Sequence, residues 1–148
     1  DAFSAPNLKM YKFDLQKAIN FPLNSMLEDK SSAENWRNFN EKIKTLVRLL
    51  SGQTCAINST LTINPTKHPY SIEYCLVFLA RKIVEKGEET VGSRPETAFQ
   101  YCQVIIEVLK HVKNFETIIL AQFNEKCPYT IPYYKSRIPN HTDEQFME

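Results

Sequence analysis

The chain has 148 residues but only three glycines, and it carries no strong charge of either sign, its formal net charge being +1. So balanced a charge excludes bulk attraction to nucleic acid or to an anionic membrane, and any polyanion site must be a local cluster. No run approaches the roughly 18 apolar residues of a membrane-spanning helix. Asp1 to Met10 has no basic stretch leading into an apolar core, so it does not read as a secretory signal. Cys55, Cys75, Cys102 and Cys127 form no C-x-x-C pair, which removes zinc-ribbon and thioredoxin readings. His68, His111 and His141 share no ligand spacing with one another, and there is no G-x-x-x-x-G-K phosphate loop. A nucleophile paired with a base is equally hard to find. The chain reads as a non-enzymatic binding protein that requires no cofactor or metal.

What is present suits a folded domain. Hydrophobic residues make up 43% and charged residues 24%, enough to build one real core. A core of that size needs no staples, so the cysteines read as free thiols in a reducing compartment, with Cys75 and Cys102 inside apolar helical patterns. The rival is a secreted protein with two disulfides, for which the glycosylation-type triplets Asn58-Ser59-Thr60 and Asn140-His141-Thr142 are weak support.

Most of the prolines fall between periodic segments, which implies helices joined by short breaks. Leu8, Tyr11, Leu15, Ala18 and Ile19 mark a helix over 8–21, expected to end near Asn20 because Pro22 disfavours a helical residue before it. Leu23 to Lys30 reads as a connector. Ser31 or Ser32 caps the clearest helix, with Glu34 completing a capping box. Trp36, Phe39, Ile43, Leu46, Val47 and Leu50 form its buried stripe, and Gly52 supplies a left-handed stop. Thr54 to Thr66 alternates weakly and could form a hairpin, but two strands alone are marginal, so it is expected to be an extended loop packed on helices. Pro69 and Ser71 open a helix whose face is Ile72, Cys75, Leu76, Leu79 and Ile83, and Gly87 ends or weakens it. Ser93 as cap and Pro95 in the first turn start another. Ala98, Phe99, Cys102, Ile105, Ile106 and Leu109 cover more than one stripe there, which predicts burial on two sides. A last helix runs from Phe115 to about Lys126, stopped by Pro128, and the tail is irregular. The fold class is therefore all-α, a partial solenoid of antiparallel helices in a HEAT-like or middle-domain-like stack, with a simple bundle as the rival. Its parts are a leading helix and connector over 1–30, the helical stack over 31–127 and the tail over 128–148.

Lys82 and Lys86 stand one turn apart and can converge on a single anion, with Arg81 on the adjacent face. The plainer reading is a solvated helix flank in which Glu85 is a partner, and Glu88 and Glu89 extend that wet face. Lys126 adds a charge at the end of the last helix, while Lys42, Lys44 and Arg48 are expected to face solvent. His68 and His111 flank helix ends and read as surface or capping residues.

Four segments carry a family resemblance. Phe13-Asp14-Leu15-Gln16-Lys17-Ala18-Ile19, Leu49-Leu50-Ser51-Gly52, Lys82-Ile83-Val84-Glu85-Lys86-Gly87-Glu88-Glu89 and Lys126-Cys127-Pro128-Tyr129 resemble, in order and spacing, the first half of the C-terminal domain of the Gle-one mRNA-export factors. Pro132 and Tyr134 fit the continuation. The resemblance implies a helical domain at the cytoplasmic face of the nuclear pore, in proteins of nucleus and cytoplasm, that stimulates a DEAD-box RNA helicase. It also implies nucleoporins as partners, mainly through the second half, and translation initiation factors as further ones. No membrane or direct nucleic-acid contact is implied. In fungal members inositol hexakisphosphate is sandwiched between factor and helicase. Lys82, Lys86 and Lys126 match positions of that inositol-phosphate-binding pocket, whereas Gln122 and Glu125 stand where it is basic. Those two departures remove attraction and add repulsion. The family domain continues beyond Glu148, and Thr142-Asp143-Glu144-Gln145-Phe146 looks like the start of its next helix, so an uncovered end face and self-association are expected. The functional alternative is a structural scaffold that binds a protein partner in translation or RNA handling without activating a helicase.

Overall fold

The computed structural model describes residues 6–25, 33–57, 59, 61–127, 130 and 142. Five α-helices account for most of them: α1 (Pro6–Ser25), α2 (Ala33–Leu50), α3 (Ser71–Lys86), α4 (Ala98–His111) and α5 (Phe115–Lys126). The expected all-α class holds. Among the described residues the β-structure is a small antiparallel hairpin of β1 (Cys55–Ala56) and β2 (Thr62–Ile63), with Cys55 opposite Ile63.

That hairpin corrects the expectation of an extended loop. Two such short strands are marginal alone. Here Cys55 and Ile63 are both buried, and the strands lie against α2 and α1, so the helices supply the missing face. Pro22 is a second correction. Instead of ending near Asn20, α1 passes through the proline to Ser25. An interior proline costs about 3 kcal/mol, but Pro22 is buried and Leu23 continues the stripe of Leu15 and Ile19 at 1% exposure, which offsets much of it.

Gly52 stops α2 as expected, at φ +82°. The Gly52 amide donates to the Leu49 carbonyl and the Gln53 amide to that of Arg48, the paired bonds of a Schellman motif. The capping serines Ser31 and Ser32, the connector beyond Ser25 and most of the tail lie outside the described residues.

The core is a single cluster with α3 at its centre. Leu15, Ala18 and Ile19 of α1, Phe39, Leu46 and Leu49 of α2, and Phe115 and Ile119 of α5 surround Cys75, Leu79, Ala80 and Ile83 of α3. Helix α3 packs on α1, α2 and most extensively on α5, while α4 lies across α2 and α5. Trp36 departs from its expected stripe: it is half-exposed, T-shaped against Phe39 with ring centroids 5.6 Å apart.

Helix α4 departs further. Only one face is buried, through Tyr101, Val104 and Val108. Phe99 is 79% exposed, and Cys102 and Ile106 also face outward, so burial on two sides is wrong among the described residues. Its apolar residues cover more than one stripe, but nothing described packs on the outer face. Ser93 is not the cap either. Its hydroxyl donates to the Thr90 carbonyl, and a 3₁₀ turn over Pro95–Thr97 leads into α4.

Candidate functional site

The last two turns of α3 carry the candidate lysines, and a wider turn follows them. The α-helical part of α3 ends at Lys86 with Gly87 as its C-cap, as expected, but Gly87 does not turn the chain away. It keeps right-handed angles (φ −56°, ψ −49°), and Gly87–Val91 continues as a π-helical turn. That extra residue of width swings Glu88 and Glu89 round the axis. Such turns recur at functional sites.

Lys82 and Lys86 share one flank of α3, as their spacing predicts, but each already has a partner. Lys82 Nζ lies 2.7 Å from Glu85, and Lys86 Nζ lies 2.7 Å from Glu89. The hydrogen bond that Lys86 donates to Glu89 raises the Lys86 pKa above its usual value and outweighs the opposing effect of burial. The same bond lowers the Glu89 carboxyl below the ordinary range, helped by the nearby charge of Lys86 and, more weakly, of Lys82. The sequence showed Glu85 as a partner and left Glu89 on a solvated face. Its signal was the repeat of the Lys–Glu spacing of three, 82 to 85 and then 86 to 89.

Tyr101 of α4 sits against this flank. Burial pushes its phenol up in pKa, against the pull of the Thr90 hydroxyl and of the Lys86 and Arg94 charges. The hydroxyl is buried without a hydrogen bond of normal geometry. No sequence signal marked Tyr101, because it fell between the apolar positions assigned to α4.

Lys126 ends α5, the helix packed most extensively on α3, and is exposed. One turn back, Gln122 is buried, donating its amide to Glu125 at 3.1 Å and leaving its carbonyl oxygen unpartnered. The residues flanking Lys126 are therefore neutral or acidic. Taken together, the described surface offers three lysines on two adjacent helices, of which two are neutralised internally.

The remaining candidate groups are unremarkable in chemistry. Cys55, Cys75, Cys102 and Cys127 are free, and Cys102 is exposed rather than within the apolar interior. Burial drives the Cys75 thiol up to about 12, so it is inert as a nucleophile at neutral pH. The His68 ring accepts a bond from the Tyr70 amide at 3.3 Å just ahead of α3, whose N-cap position is Tyr70 and carries no side-chain capping bond. His111 is exposed at the end of α4. Among the described residues no group of three or more His, Cys, Asp or Glu could hold a metal ion.

Comparison with known proteins gives this surface its context. The model of the GLE1-like protein family matches residues 2–148, nearly the whole chain. The chain belongs to the GLE1-like protein family. Similar relatives include the mRNA export factor Gle1 of Drosophila melanogaster, 32% identical over 143 residues and 96% of this chain. The mRNA export factor GLE1 of Danio rerio is 31% identical over 126 residues, or 85% of the chain. That of Mus musculus is 30% identical over 126 residues, again 85% of the chain. The chain spans 20% of the first of these relatives and 17% of the other two. This GLE1-like segment thus presents the α3–α5 surface of a much longer kind of protein.

Proposed function

We propose that this chain works in mRNA export as a non-enzymatic adaptor that binds and activates a DEAD-box RNA helicase at the cytoplasmic face of the nuclear pore. The observation that carries the reading is membership of the GLE1-like family over residues 2–148, whose relatives bear the name mRNA export factor. A stack of packed helices suits the task. Activation of this kind needs only a surface that binds one conformation of the helicase better than the other, so the equilibrium shifts without a reacting group.

In this reading Lys82, Lys86 and Lys126 form the anion-facing part of the surface, with inositol hexakisphosphate as the ligand. Glu85 and Glu89 hold two of those lysines, and Glu125 stands beside the third, so the ligand binds weakly. Helicase ATP turnover, measured with the family domain that contains these residues, tests the proposal. Stimulation is expected, and reversing Lys82, Lys86 and Lys126 to Glu should lower it. Unchanged stimulation removes the lysines from the mechanism. Failure of a helicase lobe to be retained in a pull-down removes the helicase role and leaves the scaffold alternative.

A further inference from the structure

Away from the lysines of α3, α2 and α4 enclose a shallow groove of about 210 Å³. Its floor is aliphatic, built from Ile43 and Val47 one helical turn apart, and its rim holds Lys44, Arg48, Glu107 and His111. The same one-turn spacing sets Lys44 beside Arg48 on α2 and Glu107 beside His111 on α4. Both helices therefore present a coherent edge to the groove.

The charges on that rim are not equivalent. Lys44 is satisfied by Glu41 at 2.7 Å, and the one rim carboxylate, Glu107, is held by Lys110 at 2.6 Å. Arg48 makes no ion pair within 4.0 Å among the described residues, and it is exposed. So the unspent charge at the groove is positive, next to an apolar floor.

We propose that this groove docks a short acidic segment of a partner protein, one that seats an aliphatic or aromatic side chain on Ile43 and Val47 and pairs a carboxylate with Arg48. Its size fits one or two side chains and falls below the few hundred Å³ of a small-molecule site. The planar fork of Arg48 suits bidentate carboxylate recognition, and His111 offers a further polar contact across the groove. Single-stranded RNA fits less well, because no Phe, Tyr or Trp lines the groove as a stacking platform for successive bases and Glu107 repels phosphate. The inference is independent of the helicase reading and of the α3 lysines.

A displayed random-peptide library panned against the full 148-residue chain tests it. Selected peptides should pair Asp or Glu with Leu, Ile or Phe, and a selected peptide should shift the methyl resonances of Ile43 and Val47. Arg48→Glu should weaken that peptide about tenfold and Arg48→Lys much less, as expected when a fork-shaped charge pair is lost. Arg48→Gln, a milder change at an exposed site, carries the test should the reversal unfold the chain. No enrichment, enrichment of basic peptides, shifts away from the groove, or affinity indifferent to Arg48→Glu and Arg48→Gln would each overturn the proposal. So would polyuridylate binding that depends on Arg48 and displaces the peptide.

Discussion

Two glycines offer a paired test of the backbone reading, because alanine should act with opposite sign at each. At Gly87 the angles are helical and an added Cβ meets nothing within 4 Å. Alanine there reduces the freedom of the unfolded chain at no steric cost, which stabilises by about 0.4–1 kcal/mol. At Gly52 the φ of +82° is one that L residues avoid, and a Cβ would approach Ile72 Cδ1 to 3.3 Å. Alanine must then be forced left-handed, at about 1–2 kcal/mol, or else break the two bonds that close α2. For a chain of about this size each kcal/mol moves the midpoint by roughly 2–4 °C. Gly87→Ala should thus melt about 1–4 °C higher, and Gly52→Ala about 2–8 °C lower. Urea titration with unchanged m-values would show that folding stability itself has moved. A stabilised Gly52→Ala, or a Gly87→Ala that loses stability, would refute the assignment of which glycine is conformationally required.

Two further outcomes follow from the core. Leu79→Ala, at a fully buried position in the central helix, should cost about 2–5 kcal/mol by urea unfolding, far more than truncation of half-exposed Leu120 on α5. The Cys75 thiol, lifted to about 12 by burial, should make stability fall as pH rises. Its folded pKa lies above the unfolded value near 8.5, so the neutral thiol's contribution is intact below that value and is lost on the way to the folded one. Between about pH 9.5 and 11 the loss approaches 1.4 kcal/mol per unit, and Cys75→Ala, compared with the parent chain, should remove that part of the slope.

Most of the helices were legible because their boundaries depend on local chemistry. The stripe of Phe39, Ile43, Leu46 and Leu50 at steps of three and four, and the glycine after it, specify α2 and its stop without reference to any neighbour. Phe115 to Lys126 was equally plain, because Pro128 bounds it. The candidate lysines were visible by spacing, and so, in principle, was the repeated acid three residues after each. Only the structure placed Glu89 on Lys86, since the π-helical turn at Gly87 sets where Glu89 points.

What one sequence by itself determined was the class, an all-helical domain with a single apolar interior, because hydrophobic periodicity and turn residues act over a few positions. Tertiary packing decided the rest. Burial of Pro22 and Leu23 carried α1 through a helix-breaking residue, and two helices made a hairpin of strands too short to stand alone. An apolar residue states only that it can be buried, as Phe99 shows at 79% exposure. Which of them is buried depends on what packs there, and that is a property of neighbours distant in the chain.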